Sequence, residues 1–358
     1  MDLTQLKQTC NVVYSTGLSY DGFMLVLGIE TSCDETAVAI VENGTKIITN
    51  VVYSQIAIHR PYGGVVPEIA SRKHIETILP LLEQALYQKN IKLSEIDVIA
   101  VTQGPGLVGA LLVGICIAKA IAFALNKPLV AINHLEAHLT AIFLEQTPLF
   151  PFIGLVVSGG HTNLYLVNHF LEIKQLGQTL DDAAGEAFDK VAHMLGLPYP
   201  GGISIEKRAK EGSPNIKFPR PLLNKNNYHF SFSGLKTAVA NYLRHHPSFC
   251  KADVAASFQQ AVVDTLVTKA MQAVKAFCIP RLVVAGGVAA NGCLREKLLA
   301  AGQREKVNIY FPSPTLCTDN AAMVAALGYH HFKAHKIADF DFDAISRYPV
   351  CPFHQSKL

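Results

Sequence analysis

The sequence predicts an α/β protein made of two similar domains, and three observations carry that prediction. The chain has 358 residues, more than the roughly 150 of one ordinary domain. Half of it is apolar and only 16% is charged, so it can bury a sizeable core. Disordered, collagen-like and low-complexity classes are excluded. Finally, one pattern occurs twice: an apolar strand, a turn of small or polar residues, two further strands, then helical sequence. Such a repeat marks an internal duplication.

In the first copy, Met24–Glu30 (MLVLGIE) reads as a strand, Thr31–Glu35 as a polar turn and Thr36–Val41 as the second strand. Asn43-Gly44 is a hairpin signal, and Lys46–Tyr53 is the third strand. Pro67–Tyr87 looks helical, and Asp97–Thr102 is a strand ending at Gly104-Pro105-Gly106. Ala110–Leu125 is an apolar helix of sixteen residues interrupted by Gly114 and Lys119. It falls short of the roughly 20 residues of a membrane span and is expected to be a buried core helix. His134–Leu144 is helical, and the domain boundary is expected near Glu145–Phe150.

The second copy opens with the strand Pro151–Val157, the turn Ser158-Gly159-Gly160-His161 and the strand Thr162–Val167, with a third strand near Glu172–Leu176. Helices are expected at Asp182–Leu195 and Ala255–Phe277, a strand at Arg281–Ala285, and a helix from about Ala290. A short strand at Asn308–Phe311 and a helix at Asp319–Phe332 follow. The expected domains are 24–148 and 149–332, with an N-terminal extension at 1–23 and a C-terminal tail at 333–358. The extension has one Lys, no Arg and no compact apolar core. It reads as poorly ordered and dispensable, not as a targeting peptide.

Charge and cysteines bound the function only loosely. A net +3, from 31 Lys and Arg against 28 Asp and Glu, neither shows nor excludes nucleic-acid binding. The eight cysteines are scattered without a CxxC pair, so they read as reduced thiols in place of disulfides or a zinc site.

Five segments carry chemistry. In His134-Leu135-Glu136-Ala137-His138 the i, i+4 histidines share one helix face and could share a metal ion. Glu136 lies about 200° round the helix from the first histidine, so it is poorly placed as a peptidase base. Ser158-Gly159-Gly160-His161-Thr162 offers bare backbone to an anion, or is only a tight turn. Gly286-Gly287 with Asn291 suits a nucleotide's base and sugar, without the G-x-G-x-x-G order of a dinucleotide site. Cys317-Thr318-Asp319-Asn320 is either a helix cap or the source of a carboxylate ligand, Asp319, for the histidine pair. Glu30-Thr31-Ser32-Cys33-Asp34-Glu35 puts three acids at a strand end, as a solvated turn or as acid/base groups at a cleft.

Taken in order, LGIETSCDETAVAIV, YGGVVPEIASRKH, GPGLVGALLVG, HLEAH, VSGGHTNLYLV, DDAAGEAFDKVAHMLGLPYPGG, FSFSGLKTAV, AGGVAANGCLRE and CTDNAAM closely resemble the bacterial TsaD family, formerly labelled O-sialoglycoprotein endopeptidase. The resemblance runs from Met24 to about Phe332 and loosens after Ala334. It implies a duplicated actin-like ATPase-type (ASKHA) fold with an interdomain cleft. It also implies transfer of threonylcarbamoyl from its adenylate to N6 of the adenosine 3′ of a tRNA anticodon, with release of AMP. The tRNAs are those reading codons that begin with adenine. The implied metal ligands are His134, His138 and Asp319, holding one Fe²⁺, with Zn²⁺ equally compatible with the donor set. The implied substrate contacts are Val157, Ser158, Gly159, Gly160, His161, Asp189, Gly202 and Asn291.

Asp34 or Glu35 is the candidate base for the weakly nucleophilic amine. Six basic residues between Ser204 and His229 (Lys207, Arg208, Lys210, Lys217, Arg220, Lys225) suit phosphate contacts or a solvated loop. Implied partners are tRNA, threonylcarbamoyl-AMP, a TsaB-like paralogue and a TsaE-like ATPase, with no membrane and a bacterial cytoplasmic address. Competing readings are a metallopeptidase, an ATPase or chaperone of the same fold, and a non-catalytic scaffold.

Overall fold

The computed structural model describes residues 22–223 and 227–347. Most of the N-terminal extension, Lys225 and the end of the tail lie outside the described residues. The first sheet contains β1 (Leu25–Glu30), β2 (Glu35–Glu42), β3 (Lys46–Ser54), β4 (Val98–Gly104) and β5 (Leu129–Asn133), ordered β3-β2-β1-β4-β5. The second contains β6 (Phe152–Val157), β7 (Thr162–His169), β8 (Glu172–Gln178), β9 (Arg281–Ala285) and β10 (Asn308–Tyr310). Read from β8, its order is β8-β7-β6-β9-β10, the same path a second time. In each sheet the first strand runs antiparallel to the second and parallel to the fourth. The duplication is therefore one of topology as well as of pattern.

The central strands are buried on both faces, which is why their sequences are apolar runs without alternation. Asn43 and Gly44 both take positive φ, as the hairpin signal required. On the first sheet lie α1 (Pro67–Tyr87) and α2 (Val108–Leu125). The second carries α4 (Ala184–Met194), α5 (Gly201–Ala209), α6 (Ser233–His245), α7 (Lys251–Ala276) and α8 (Gly292–Glu305). Between the sheets runs α3 (His134–Thr140). One side of it packs with the first core through Ala137, the other with the second through Leu135 and Leu139.

Helix α2 is only partly the buried core helix expected. It buries Ala110, Leu111, Gly114, Ile115, Ala118 and Ala122, while Val108, Leu112 and Phe123 face outward. An apolar sequence on all sides gives no polar stripe to reveal the exposed face. By length and hydropathy it could cross a membrane, but one face seals the first sheet.

The second departure concerns the end of the chain. Helix α9 (Ala321–Lys333) belongs by sequence to the second stretch, yet it packs on the first sheet beside β1, β2 and β4. Gly28 in β1 makes this possible, since a Cβ there would lie 2.3 Å from the Ala321 carbonyl. The tail then straps the first lobe. Ala338 N–H donates to Leu129 O (2.8 Å), Phe340 and Phe342 pack on the first core, and Ile345 N–H donates to Gln103 O (2.9 Å).

Candidate active site

The two lobes enclose a cavity of about 540 Å³, within the range of small-ligand sites. Its walls are the duplicated turns themselves. After β1 come Ser32–Glu35, and after β6 come Ser158–His161, so the repeat places equivalent hairpins on opposite sides of one space. Further walls come from α4 and α5 (Asp189, Gly202, Glu206), from the turn after β9 (Gly287, Val288, Asn291) and from Thr318 and Asp319.

His134 and His138 stand one turn apart on α3, with ring centroids 4.7 Å apart. Asn133 starts that helix by accepting the N–H groups of Leu135 and Glu136. Asp319 Oδ1 lies 3.5 Å from His134 Nε2 and 3.1 Å from His138 Nε2. Donors held at roughly 2.0–2.2 Å from one ion, at tetrahedral or octahedral angles, are about 3.0–3.5 Å from each other. The three groups therefore fit a shared metal. The helix-cap alternative for Asp319 fails because Asn320 is the cap of α9, accepting Met323 N–H at 3.0 Å. Asp319 is left to face the histidines. The three groups meet where the lobes join, at the contact of α3 with the start of α9, not across the open mouth.

Glu30, which sequence reading noticed only as one of three acids, is fully buried at the end of β1. Its Oε2 sits 3.0 Å from His134 Nδ1 and accepts the Thr102 hydroxyl at 2.6 Å, while Oε1 accepts Ser32 N–H. The carboxylate takes the ring nitrogen facing away from the metal position, so the other nitrogen faces it. Burial alone would lower His134, but Glu30 and Asp319 outweigh it and raise the imidazole well above its ordinary range. Burial would raise Asp319, yet His134 and His138 hold it far below the carboxylate range.

The neighbouring acids behave in the opposite sense. Glu35 lies on the cavity wall, accepting the Ser54 hydroxyl at 3.0 Å. Burial, then Asp34 and Asp319, push its carboxyl well above the ordinary 4.5. Asp189 accepts Gly201 N–H at 2.6 Å, and burial raises it to about 6. His161 is lowered to about 4 by burial and by the two metal-site histidines, so it is neutral at physiological pH.

Most of the expected substrate contacts line the cavity: Ser158, Gly159, Gly160, His161, Asp189, Gly202 and Asn291, together with Asp34 and Glu35. A Cβ on Gly159, Gly160 or Gly202 would meet nothing within 4 Å, so their backbone lies bare toward the space. Two expectations change. Val157 is an inward strand residue, wholly buried in the second core, and is not a wall of the cavity. Asn291 is a wall, but its Oδ1 caps α8 through Leu294 N–H and its Nδ2 donates to Gln259 Oε1 at 2.9 Å. Its amide already holds the fold, which one-dimensional reading cannot tell from a ligand contact.

The basic run is also less free than it looked. Arg220 pairs with Asp264 at 2.6 Å, and Arg208 with Glu211 at 2.7 Å. Missed altogether were Phe188, Tyr199 and the strap residue Ser346, all walls of the cavity. For Tyr199 the PYPGG phrase was a usable signal, whereas Ser346 had none.

Comparison with known proteins identifies the family and the fold. The family model described as "TsaD: tRNA N6-adenosine threonylcarbamoyltransferase" matches residues 46–326. A protein of that name from Geotalea uraniireducens is 54% identical over 332 residues, 91% of this chain and 97% of the other. Its namesake from Kosmotoga olearia is 54% identical over 323 residues, covering 90% and 98%. Among solved structures, T. kodakarensis HypF superposes with a TM-score of 0.60 at 15% identity, covering 87% of this chain and 48% of that one. Component A of the Acidaminococcus fermentans (R)-2-hydroxyglutaryl-CoA dehydratase gives 0.52 at 14%, covering 86% and 98%. At that identity they establish the fold, the actin-like ATPase type. With a family match over most of its length and relatives more than half identical, this chain belongs to the TsaD family.

Proposed function

We propose that the chain transfers the threonylcarbamoyl group from threonylcarbamoyl-AMP to N6 of the adenosine immediately 3′ of the anticodon, in tRNAs reading codons that begin with adenine. The observation that carries this reading is one cavity walled both by His134 and Asp319 of the His–His–Asp cluster and by a turn of bare glycines. The bare Ser158–Gly160 turn supports a contact to the donor, with Gly202 and Asp189 flanking it. Hydrogen-bond donors aimed at the carbamoyl oxygen favour the charge that develops there.

The amine nitrogen attacks the carbamoyl carbon, the bond from that carbon to the phosphate oxygen breaks, and AMP departs with the electron pair. Glu35, or Asp34 beside it, takes the proton that the amine loses. A carboxyl that burial raises well above its ordinary range is a stronger base than a free carboxylate and is suited to that task. A metal held by His134, His138 and Asp319 would act as a Lewis acid and orient the threonyl group. We assign Fe²⁺, with Zn²⁺ as the alternative that the same N and O donors accept.

The reading further includes a TsaB-like paralogue and a TsaE-like ATPase as partners and a cytoplasmic address. A peptidase reading gains no support, since Glu136 is not a wall of the cavity. The test is to incubate the protein with threonylcarbamoyl-adenylate, both partners and unmodified tRNA, then analyse tRNA nucleosides by mass spectrometry. Absence of the threonylcarbamoyl mass on adenosine would sink the proposal.

A further inference from the structure

The cavity has an unusual charge balance for a site that receives a phosphate. Five carboxyl residues line it (Asp34, Glu35, Asp189, Glu206 and Asp319), and no Lys or Arg does among the described residues. Bare glycine N–H groups, and a metal when one is bound, would offset part of that negative field, and an anion brought there still meets a site poor in cations. The chain nevertheless carries one arginine to the rim by an indirect route. After α9 the strap runs back over the first lobe and is fastened to the end of β4. Ile345 N–H donates to Gln103 O, Gln103 Nε2 donates to Asp343 O (3.0 Å), and Gly106 N–H donates to Ser346 O (3.3 Å). These bonds set Ser346 into the cavity wall beside Pro105, Gly106 and Leu107.

Arg347 follows directly, its Cα about 3.8 Å from that of Ser346. It is exposed and makes no ion pair or hydrogen bond among the described residues. Several cations of the second lobe are already paired: Lys190 and Lys236 with Asp182, Arg220 and Lys297 with Asp264.

We infer that Arg347, delivered by the C-terminal strap, is a phosphate-binding residue at the mouth of the cavity. It would receive either the phosphate of the donor nucleotide or a backbone phosphate of the tRNA beside the target adenosine. The inference rests on the transferase reading above. Arginine is suited to the role because its planar fork offers paired donors to phosphate oxygens and stays charged at every working pH. The strap is fastened through backbone groups of residues 338, 343, 345 and 346, so the side chain of Arg347 is free to be changed without unfastening it.

The experiment compares full-length wild type with Arg347→Ala and Arg347→Lys. Binding of AMP, of adenosine and of unmodified tRNA at two salt concentrations is measured, and thermal melts verify the fold. A donor-phosphate contact predicts AMP weakened roughly ten-fold or more in Arg347→Ala, the size of one lost charge-assisted hydrogen bond. Adenosine binding should then be unchanged and the Lys variant intermediate. A tRNA contact predicts unchanged AMP binding, weaker tRNA binding and a salt dependence reduced by about one phosphate. Wild-type affinity for both AMP and tRNA in the Ala variant overturns the inference, as does an equal loss for adenosine and AMP. A wild-type protein that binds neither AMP nor tRNA refutes the transferase reading itself and this inference with it.

Discussion

Replacing Glu30 with Gln keeps the side chain's shape and removes the charge that faces His134. Outer partners of metal-bound histidines commonly govern affinity by about 10–100-fold. Glu30→Gln should therefore bind metal more weakly by that factor, measured by competition with a chelator of known affinity. An unchanged metal constant would reduce Glu30 to a packing group. Glu35→Gln addresses the proton instead, and should slow single-turnover transfer by roughly 10²–10⁴-fold. Its pH profile carries a sign. Because burial and Asp34 raise the Glu35 carboxyl above 4.5, the basic form is lost as pH falls through that raised value. The wild-type rate should thus decline at a pH above 4.5, and that limb should vanish in the variant. His134 and His138 were legible in sequence because one helical turn contains them, and Asp319 was joined to them only by the family resemblance. Glu30 was not legible, since its partner is 104 residues away and only the folded sheet brings them together.

Helix α9 is the element whose placement matters most, because Asp319 sits just before its first turn. It lies close on β1 over Gly28, where a methyl group would collide with the Ala321 carbonyl and the Ala325 backbone nitrogen. Gly28→Ala should destabilise the protein by roughly 1–3 kcal/mol, as overpacking in tight cores does. It should also weaken metal binding by displacing the helix start, and denaturant melts with metal titration would read both. Further along α9, His330 stacks on Phe170 of the second lobe with centroids 3.5 Å apart, its Nε2 buried without a partner.

Burial, then His169, lowers His330 to about 4 against an ordinary 6.5. The unfolded chain therefore binds this proton first, and stability falls as pH drops from 6.5 toward 4. His330→Leu should lose less in melting temperature between about pH 7.5 and pH 5 than wild type; an equal loss would place the acid sensitivity elsewhere. The strands were readable because fully buried strands are apolar runs. That α9 returns to the first sheet was not, because an apolar helix fits either sheet and only the match of Gly28 with its backbone decides.

At the scale of the molecule, the described chain passes between lobes twice. It leaves the first sheet through α3 and returns from the second through the segment that precedes α9. The three proposed ligands lie on these two passages, His134 and His138 on the way out and Asp319 on the way back. An ion bound there would tie together points 181 residues apart along the chain. Because donors so far apart in sequence meet only in the folded chain, the binding free energy of the ion would add to the stability of the fold. Metal would then contribute to stability as well as to chemistry. Saturation at about 100 times the dissociation constant corresponds to roughly 2.7 kcal/mol, so chelation should lower the melting temperature by several degrees. The effect should disappear in Asp319→Ala. With both passages tied at one point, the lobes would keep the freedom to swing like pages on a spine while losing the freedom to slide past each other. The wall formed by Ser158–His161 and the wall formed by Asp34 and Glu35 would then part to admit a tRNA loop and return to the same register.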